Sequence, residues 1–279
     1  MPELAEVAFF RRRWDEAACG STITKVLLHP KARIFRGADV GLIERGITGA
    51  RFSESFSAAK QILIRFGQRG YLGLHLGMSG DLSVAKPDFT PGKHDHLVLY
   101  TAKHALVFND PRMFGRVRYE ESDQPPAWWT ELAPPILSRE FTVAAVAAFL
   151  KRRKAAPIKA VLLMQERFPG VGNWMADEIL WRAAIHPRRK AGSLTAQETA
   201  TLWKECRTVC RQALVKIAGL GATLPKDLNV RIPKTWLFWE RWKENGHDPL
   251  TGAKLARAEI GGRTTAWSPE RQRLPKVRI

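Results

Sequence analysis

The chain is short of cysteine, of long apolar runs and of acidic residues, and each shortage narrows what it can be. Only Cys19, Cys206 and Cys210 occur among 279 residues. That is too few, and an odd number, for a disulfide framework, so thiols kept reduced in a cytosol-like compartment are expected. Cys206 and Cys210 stand four apart on an expected helix without further ligands beside them, which favours small core residues over a metal site. No apolar stretch approaches the roughly 20 residues that span a bilayer. The acidic opening Met1-Pro2-Glu3-Leu4-Ala5-Glu6 does not read as a secretory signal. Acidic residues number 27 against 45 lysines and arginines, leaving a net charge of +18. So basic a chain repels itself unless it meets a polyanion. Nucleic acid is therefore the first expected partner, with an anionic membrane surface or plain solubility as rivals.

What is present is globular: 45% hydrophobic residues in a length that suits one large domain or two ordinary ones. Leu4, Val7, Phe10, Trp14 and Ala17 fall at helical spacing and predict a helix over 3–18, with Glu3 and Glu6 at its positive end. Short β-runs follow at 23–28, 61–66, 71–76, 97–100, 105–108 and 115–119, punctuated by Gly and Pro, as in an antiparallel sandwich or barrel. Residues 122–135 hold four prolines and two tryptophans and read as a linker. Helices are expected over 138–154, 157–165, 171–184 and 195–218, the last opened by a Thr195/Glu198 capping box. Runs 255–260 and 264–267, joined through Gly261-Gly262-Arg263, have a hairpin signature. The fold class is α+β: an N-terminal β-sandwich domain (2–121) with its helix, the linker, a helical domain (136–235) and a hairpin-bearing tail (236–279).

Chemistry is suggested first by Pro2-Glu3. Once the initiator Met is removed, Pro2 carries a secondary amine titrating near pH ~8, partly unprotonated at neutral pH. Such an amine can attack a sugar or carbonyl carbon and form an iminium, and Glu3 beside it can move the protons. Rigid polar turns come later: His75-Leu76-Gly77-Met78-Ser79-Gly80, Lys93-His94-Asp95-His96, Asn109-Asp110-Pro111-Arg112-Met113-Phe114-Gly115, and Gly170-Val171-Gly172-Asn173 opening a helix. Two histidines around one aspartate on a strand favour a polar or phosphate-facing patch over a metal cluster.

In these segments and their order, from Pro2 to about Gln272, the chain resembles the formamidopyrimidine-DNA glycosylase / endonuclease VIII family of base-excision repair enzymes. The resemblance implies a bifunctional glycosylase and abasic-site lyase acting on damaged double-stranded DNA. It works as a monomer without cofactor, in the cytoplasm with the bacterial nucleoid or, in a eukaryote, in the nucleus. Its catalytic residues would be Pro2 as nucleophile at C1′, Glu3 and Glu6 at the N-terminus, Lys60 on the phosphate beside the lesion, and Arg263 on the hairpin for δ-elimination. His94, Arg112, Lys154 and Asn173 would hold DNA. Met78 and Phe114, with Arg112, would fill the gap left by an extruded nucleotide. Gly170–Asn173 would be the turn of a helix–two-turn–helix, with DNA in a basic cleft between the two domains. Oxidised or ring-opened purines and hydantoins are expected ahead of oxidised pyrimidines, the substrate of the alternative, endonuclease VIII-like reading. A non-catalytic nucleic-acid-binding protein is the other alternative.

Family members commonly end in a four-cysteine zinc finger that carries this hairpin. Here Asp248, Thr251, Ser268 and Arg271 stand where cysteines are expected, and Thr251 and Arg271 are unsuited to zinc. A zincless finger with no metal is therefore expected, held by packing of Trp236, Phe238, Trp239, Trp242 and Trp267. Ala5 replaces a customary proline, and residues 219–234 match poorly the loop that closes over 8-oxoguanine.

Overall fold

The computed structural model describes residues 2–29 and 31–274. Met1, whose removal the proline chemistry needs, and the last residues of the expected tail lie outside them. The chain divides into two compact units, 1–132 with 218–228 and 133–217 with 229–279. The break falls inside the expected linker, and 218–228 packs with the first unit, although the sequence placed it with the helices.

The first unit opens with α1 (Leu4–Ala18), whose apolar face buries Val7, Phe9, Phe10 and Trp14. Burying side chains of this size contributes roughly 2–3 kcal/mol each. The strands β1 (Lys25–Leu28), β2 (Phe52–Ala58), β3 (Gln61–Phe66), β4 (Gly70–His75), β5 (Asp81–Ala85), β6 (Asp95–Tyr100), β7 (Ala105–Asn109) and β8 (Arg116–Glu121) form two four-stranded antiparallel sheets, ordered β1-β6-β7-β5 and β2-β3-β4-β8. Helix α1 packs on strands of both sheets, and Trp14 donates its indole N–H to the Ser83 carbonyl of β5 at 2.9 Å.

Several elements of this unit escaped the sequence reading. Helix α2 (Val40–Ile47) contains two glycines, which lower helix propensity, but Asp39 caps it by accepting the Leu42 N–H. Strand β2 reads FSESFSA, too polar to be recognised, and is shaped by pairing with β3. Strand β5 is short and half-exposed. Within the expected linker, residues 127–130 form a helical turn, α3 (Ala127–Thr130), whose Trp128 lies 5.2 Å below the Arg118 guanidinium of β8.

In the second unit come α4 (Val143–Arg152), α5 (Ile158–Leu162), α6 (Asn173–Arg182), α7 (Ala196–Lys216), and the hairpin β9 (Ala256–Ile260) and β10 (Arg263–Trp267). The Thr195/Glu198 capping box forms as expected. Helix α4 starts later than expected because Thr142 caps it, and α5 ends at Leu162, short of 165. Gly261 and Gly262 make a two-residue turn with φ of +62° and +72°. That conformation suits the twist of a tight hairpin and strongly favours glycine. Arg263 is thus the first residue of β10, paired with Ile260.

Candidate functional site

At the start of α1, Glu3 and Glu6 form a reciprocal capping box, with the Glu3 N–H donating to Glu6 Oε2 at 3.2 Å. Both carboxylates are buried, and Pro2 beside them is half-buried. Two residues, Ala59 and Lys60, connect β2 to β3. Ala59 has φ +53°, a left-handed conformation that costs a residue with a Cβ about 1–2 kcal/mol. Strain of this kind gathers at functional sites. It delivers Lys60 into a position only 9% exposed, where an isolated surface lysine would be solvated.

The next residue along β3, Gln61, pairs with His75 at the end of β4. Burial pushes the His75 imidazole below its ordinary range, and Lys60, Arg118 and Arg36 push the same way. Its Nδ1 accepts the Gly77 N–H at 3.1 Å, so the neutral ring carries its proton on Nε2. A neutral donor framed by cations is suited to an anion.

Two loops then meet. Gly77 has φ +63°, and a Cβ there would stand 2.5 Å from the Gly115 nitrogen and the Phe114 carbonyl carbon. Asp110, fully buried, binds the pair together. Its Oδ1 accepts the Ser79 hydroxyl and its Oδ2 the Gly115 N–H, both at 2.7 Å. Its own N–H donates to the His94 carbonyl, and its carbonyl faces His96 Nε2, both at 3.0 Å. On this platform Met78 and Phe114 project outward, 40% and 44% exposed. The Arg112 guanidinium covers the Phe114 ring at 4.8 Å. A cavity of about 370 Å³ beside them is lined by Arg33, Arg36, His75, Met78, Met113 and Phe114. His94, half-exposed, turns its ring toward the buried His96. Among the described residues no cluster of three metal-binding side chains exists.

In the second unit Gln165 clamps the turn before α6, accepting the Gly170 N–H and donating to the Val171 carbonyl, both at 2.9 Å. Asn173 then opens α6 and donates from Nδ2 to the Thr264 carbonyl of the hairpin at 2.9 Å. Arg263 is exposed at the hairpin's edge. Lys154 is exposed in its basic run, where Arg153 is engaged by Glu166 at 2.7 Å.

A family model described as the formamidopyrimidine-DNA glycosylase N-terminal domain matches residues 1–117, and one described as the formamidopyrimidine-DNA glycosylase H2TH domain matches 132–223. The formamidopyrimidine-DNA glycosylase of Roseiflexus sp. is 35% identical over 274 residues, covering 98% of this chain and 100% of the relative. The chain belongs to the formamidopyrimidine-DNA glycosylase family. The Lactococcus lactis family member solved with DNA containing N7-benzyl-Fapy-dG matches with a TM-score of 0.84 at 25% identity, covering 98% of this chain and 100% of that one. The same bacterium's protein solved with DNA containing an oxidised pyrimidine matches with a TM-score of 0.83 at equal identity and coverage.

The positions expected to hold this family's finger cysteines form something other than a zinc site. Asp248 is buried and spends Oδ1 on the Leu250 and Thr251 amides, at 2.9 and 3.4 Å. Arg271 stands 3.9 Å from its Oδ2 and lies over the Trp181 ring. Ser268 is buried and donates its N–H to Gln272, which reaches on to the Ile185 carbonyl at 2.9 Å. A guanidinium in place of a ligand repels a dication, so these residues do not fit zinc. Of the five aromatics expected to replace the metal, Trp236 is buried and Trp267 half-buried against His186, but Trp242 is 61% exposed. Polar bonds centred on Asp248 share the task with packing.

The sequence reading missed Asp110, His75, Lys159, Asp177 and Arg241 as organising residues. Asp110 was legible as an aspartate opening a Pro-containing turn, where its side chain caps later amides. His75 headed one of the singled-out turns without being given a role, and the pairing of Lys159, Asp177 and Arg241 carried no local signal.

Proposed function

We propose that this chain is a bifunctional DNA glycosylase and abasic-site lyase of base-excision repair. The observation that carries the reading is an inversion within the first unit. The charged Glu3 and Lys60 are buried while the apolar Met78 and Phe114 are exposed, the reverse of what folding alone selects. Buried ionisable groups suit proton transfer, and exposed apolar groups suit a base stack from which one nucleotide has been everted.

The unblocked Pro2 nitrogen attacks C1′ of the damaged nucleoside, the C1′–N bond breaks, and the base leaves with a proton. The C1′–O4′ bond then breaks, O4′ takes a proton and the opened sugar is left as an iminium. This acidifies the C2′ protons, and loss of one expels the 3′-phosphate with the electron pair of its C3′–O bond. Glu3 exchanges the protons at the sugar, and Glu6, bonded to the Glu3 amide, fixes its position. Lys60 neutralises the phosphate beside the lesion, and the neutral His75 ring offers it the Nε2 proton. Met78 and Phe114 occupy the vacated stack and Arg112 reaches the orphaned base. His94, Lys154 and Asn173 hold the backbone, Asn173 at the favourable end of α6, and Arg263 clamps the 5′-phosphate for δ-elimination. Ring-opened and oxidised purines and hydantoins are the foremost substrates. The enzyme acts where DNA is, in nucleoid or nucleus.

Borohydride trapping on an abasic duplex tests the chemistry. Reduction of the iminium leaves a stable adduct, and peptide mapping is expected to place it on residue 2. An adduct on Lys60, or none, sinks the assignment. A Pro2→Gly variant is expected to lose lyase activity while keeping salt-sensitive binding.

A further inference from the structure

The second unit buries three charged side chains that the proposed reaction does not use. Lys159 on α5, Asp177 on α6 and Arg241 are exposed by no more than 2%. Lys159 Nζ donates to Asp177 Oδ1, and Arg241 donates from Nε and Nη2 to Oδ2, at 3.0 and 2.5 Å. Taking such charges out of water costs several kcal/mol per ion, and apolar residues of equal volume are often as stable or more so. Stability alone is therefore a poor account of the triad. It does offer directed hydrogen bonds, and several of these lead to one place.

Asp177 Oδ2 also accepts the Ala266 N–H of β10 at 3.3 Å. Lys159 Nζ donates to the Asn173 carbonyl at 2.7 Å, and Asn173 Nδ2 holds the Thr264 carbonyl. The Gly261 turn sits against Ala160, the residue after Lys159, so closely that a Cβ would stand 2.7 Å from its Cβ. Strand β10 is thus fixed at three points around Arg263: at the turn, one residue on, and three residues on, about 10 Å along the strand.

We infer that Asp177, held between Lys159 and Arg241, is a positioning residue for Arg263. It sets the height and rotation of β10 over the start of α6, so that the guanidinium and the Asn173 amide address the same backbone. This rests on the proposed role of Arg263. In δ-elimination a C4′ proton is lost to base, its bonding pair becomes the C4′=C5′ double bond, and the C5′–O bond breaks as the 5′-phosphate leaves with the pair of that C5′–O bond. A guanidinium out of place leaves this step uncatalysed, while Pro2 and β-elimination proceed.

The test reads products from a 5′-labelled abasic duplex under single turnover. The β and β,δ products are separated on a gel and expressed as a ratio, to which only folded, active molecules contribute. Asp177→Asn, Arg241→Met and Lys159→Met are each expected to lower the β,δ share by roughly tenfold to a hundredfold, the upper figure being the cost of a misplacement of about 1 Å. The β rate should stay within about twofold. Arg263→Gln is the reference and should lower the same share at least as far. If it does, and the three variants leave the ratio unchanged, the positioning role is overturned. If they lower both steps in proportion, the triad is merely structural and the inference again fails. If Arg263→Gln leaves the ratio unchanged, the assignment of Arg263 falls, and the positioning role with it.

Discussion

The two sets of side chains proposed for the reaction are held by opposite means. In the first unit, Lys60, His75, Met78 and Phe114 sit on tight turns joined by backbone contacts and by the single carboxylate of Asp110. In the second, the hairpin bearing Arg263 rests on a triad of full charges away from water. The first arrangement is built from local chain geometry and hydrogen bonds from uncharged donors to one carboxylate, the second from long-range ion pairs. Turn chemistry is written in neighbouring residues, whereas an ion triad spread over residues 159 to 241 exists only once the unit has folded.

The largest effect that would sharpen this contrast comes from Asp177→Ala. It strands two buried cations and should cost about 3–5 kcal/mol in urea unfolding. Replacing all three members with apolar residues of similar size should recover most of that loss, and failure to recover would show the triad to be intrinsically stabilising. Asp110→Ala comes next, at about 1–3 kcal/mol, since it leaves the Gly115 N–H and the Ser79 hydroxyl without their acceptor. A loss as large as that of Asp177→Ala would erase the distinction between the two regions.

A smaller effect concerns pH. The folded-state pKa of His75 is lowered, by burial first and then by Lys60, Arg118 and Arg36, from an ordinary value of 6.5. The unfolded chain therefore takes up the proton first as pH falls. The stability contributed by the neutral ring is fully present above pH 6.5 and is lost as pH drops from there toward the folded pKa. Thermal melts should show His75→Gln with a shallower loss of Tm below pH 6.5 than the parent, and parallel slopes would refute the shift. The smallest expected effect is none: a zinc chelator should leave the melting temperature unchanged and metal analysis should find no stoichiometric zinc. A chelator-dependent fall would restore a metal to the finger and displace the Asp248 network.

Much of the first unit could be read from residues alone. The N-terminal helix, six of its eight strands and the positions of the Met78 and Phe114 loops follow from periodicity and from glycine and proline punctuation. Strand β2 did not, because its Ser and Glu residues carry no apolar alternation and it exists by pairing with β3. Helix α2 did not, because its cap offsets two glycines. Among the site residues, Pro2, Glu3, Asn173 and the glycine turn before Arg263 stand in motifs of adjacent residues. The burial of Lys60 could not be foreseen, since a lysine following three small residues looks the same in solvent or in a core.

By itself the sequence determined the local chemistry: a proline beside a glutamate, a hairpin turned by two glycines, and a surplus of positive charge suited to a polyanion. Tertiary structure alone decided which of those groups lose their water and which face it. Burial and ion pairing depend on segments far apart in the chain, such as 159, 177 and 241, and no property of neighbouring residues encodes their meeting.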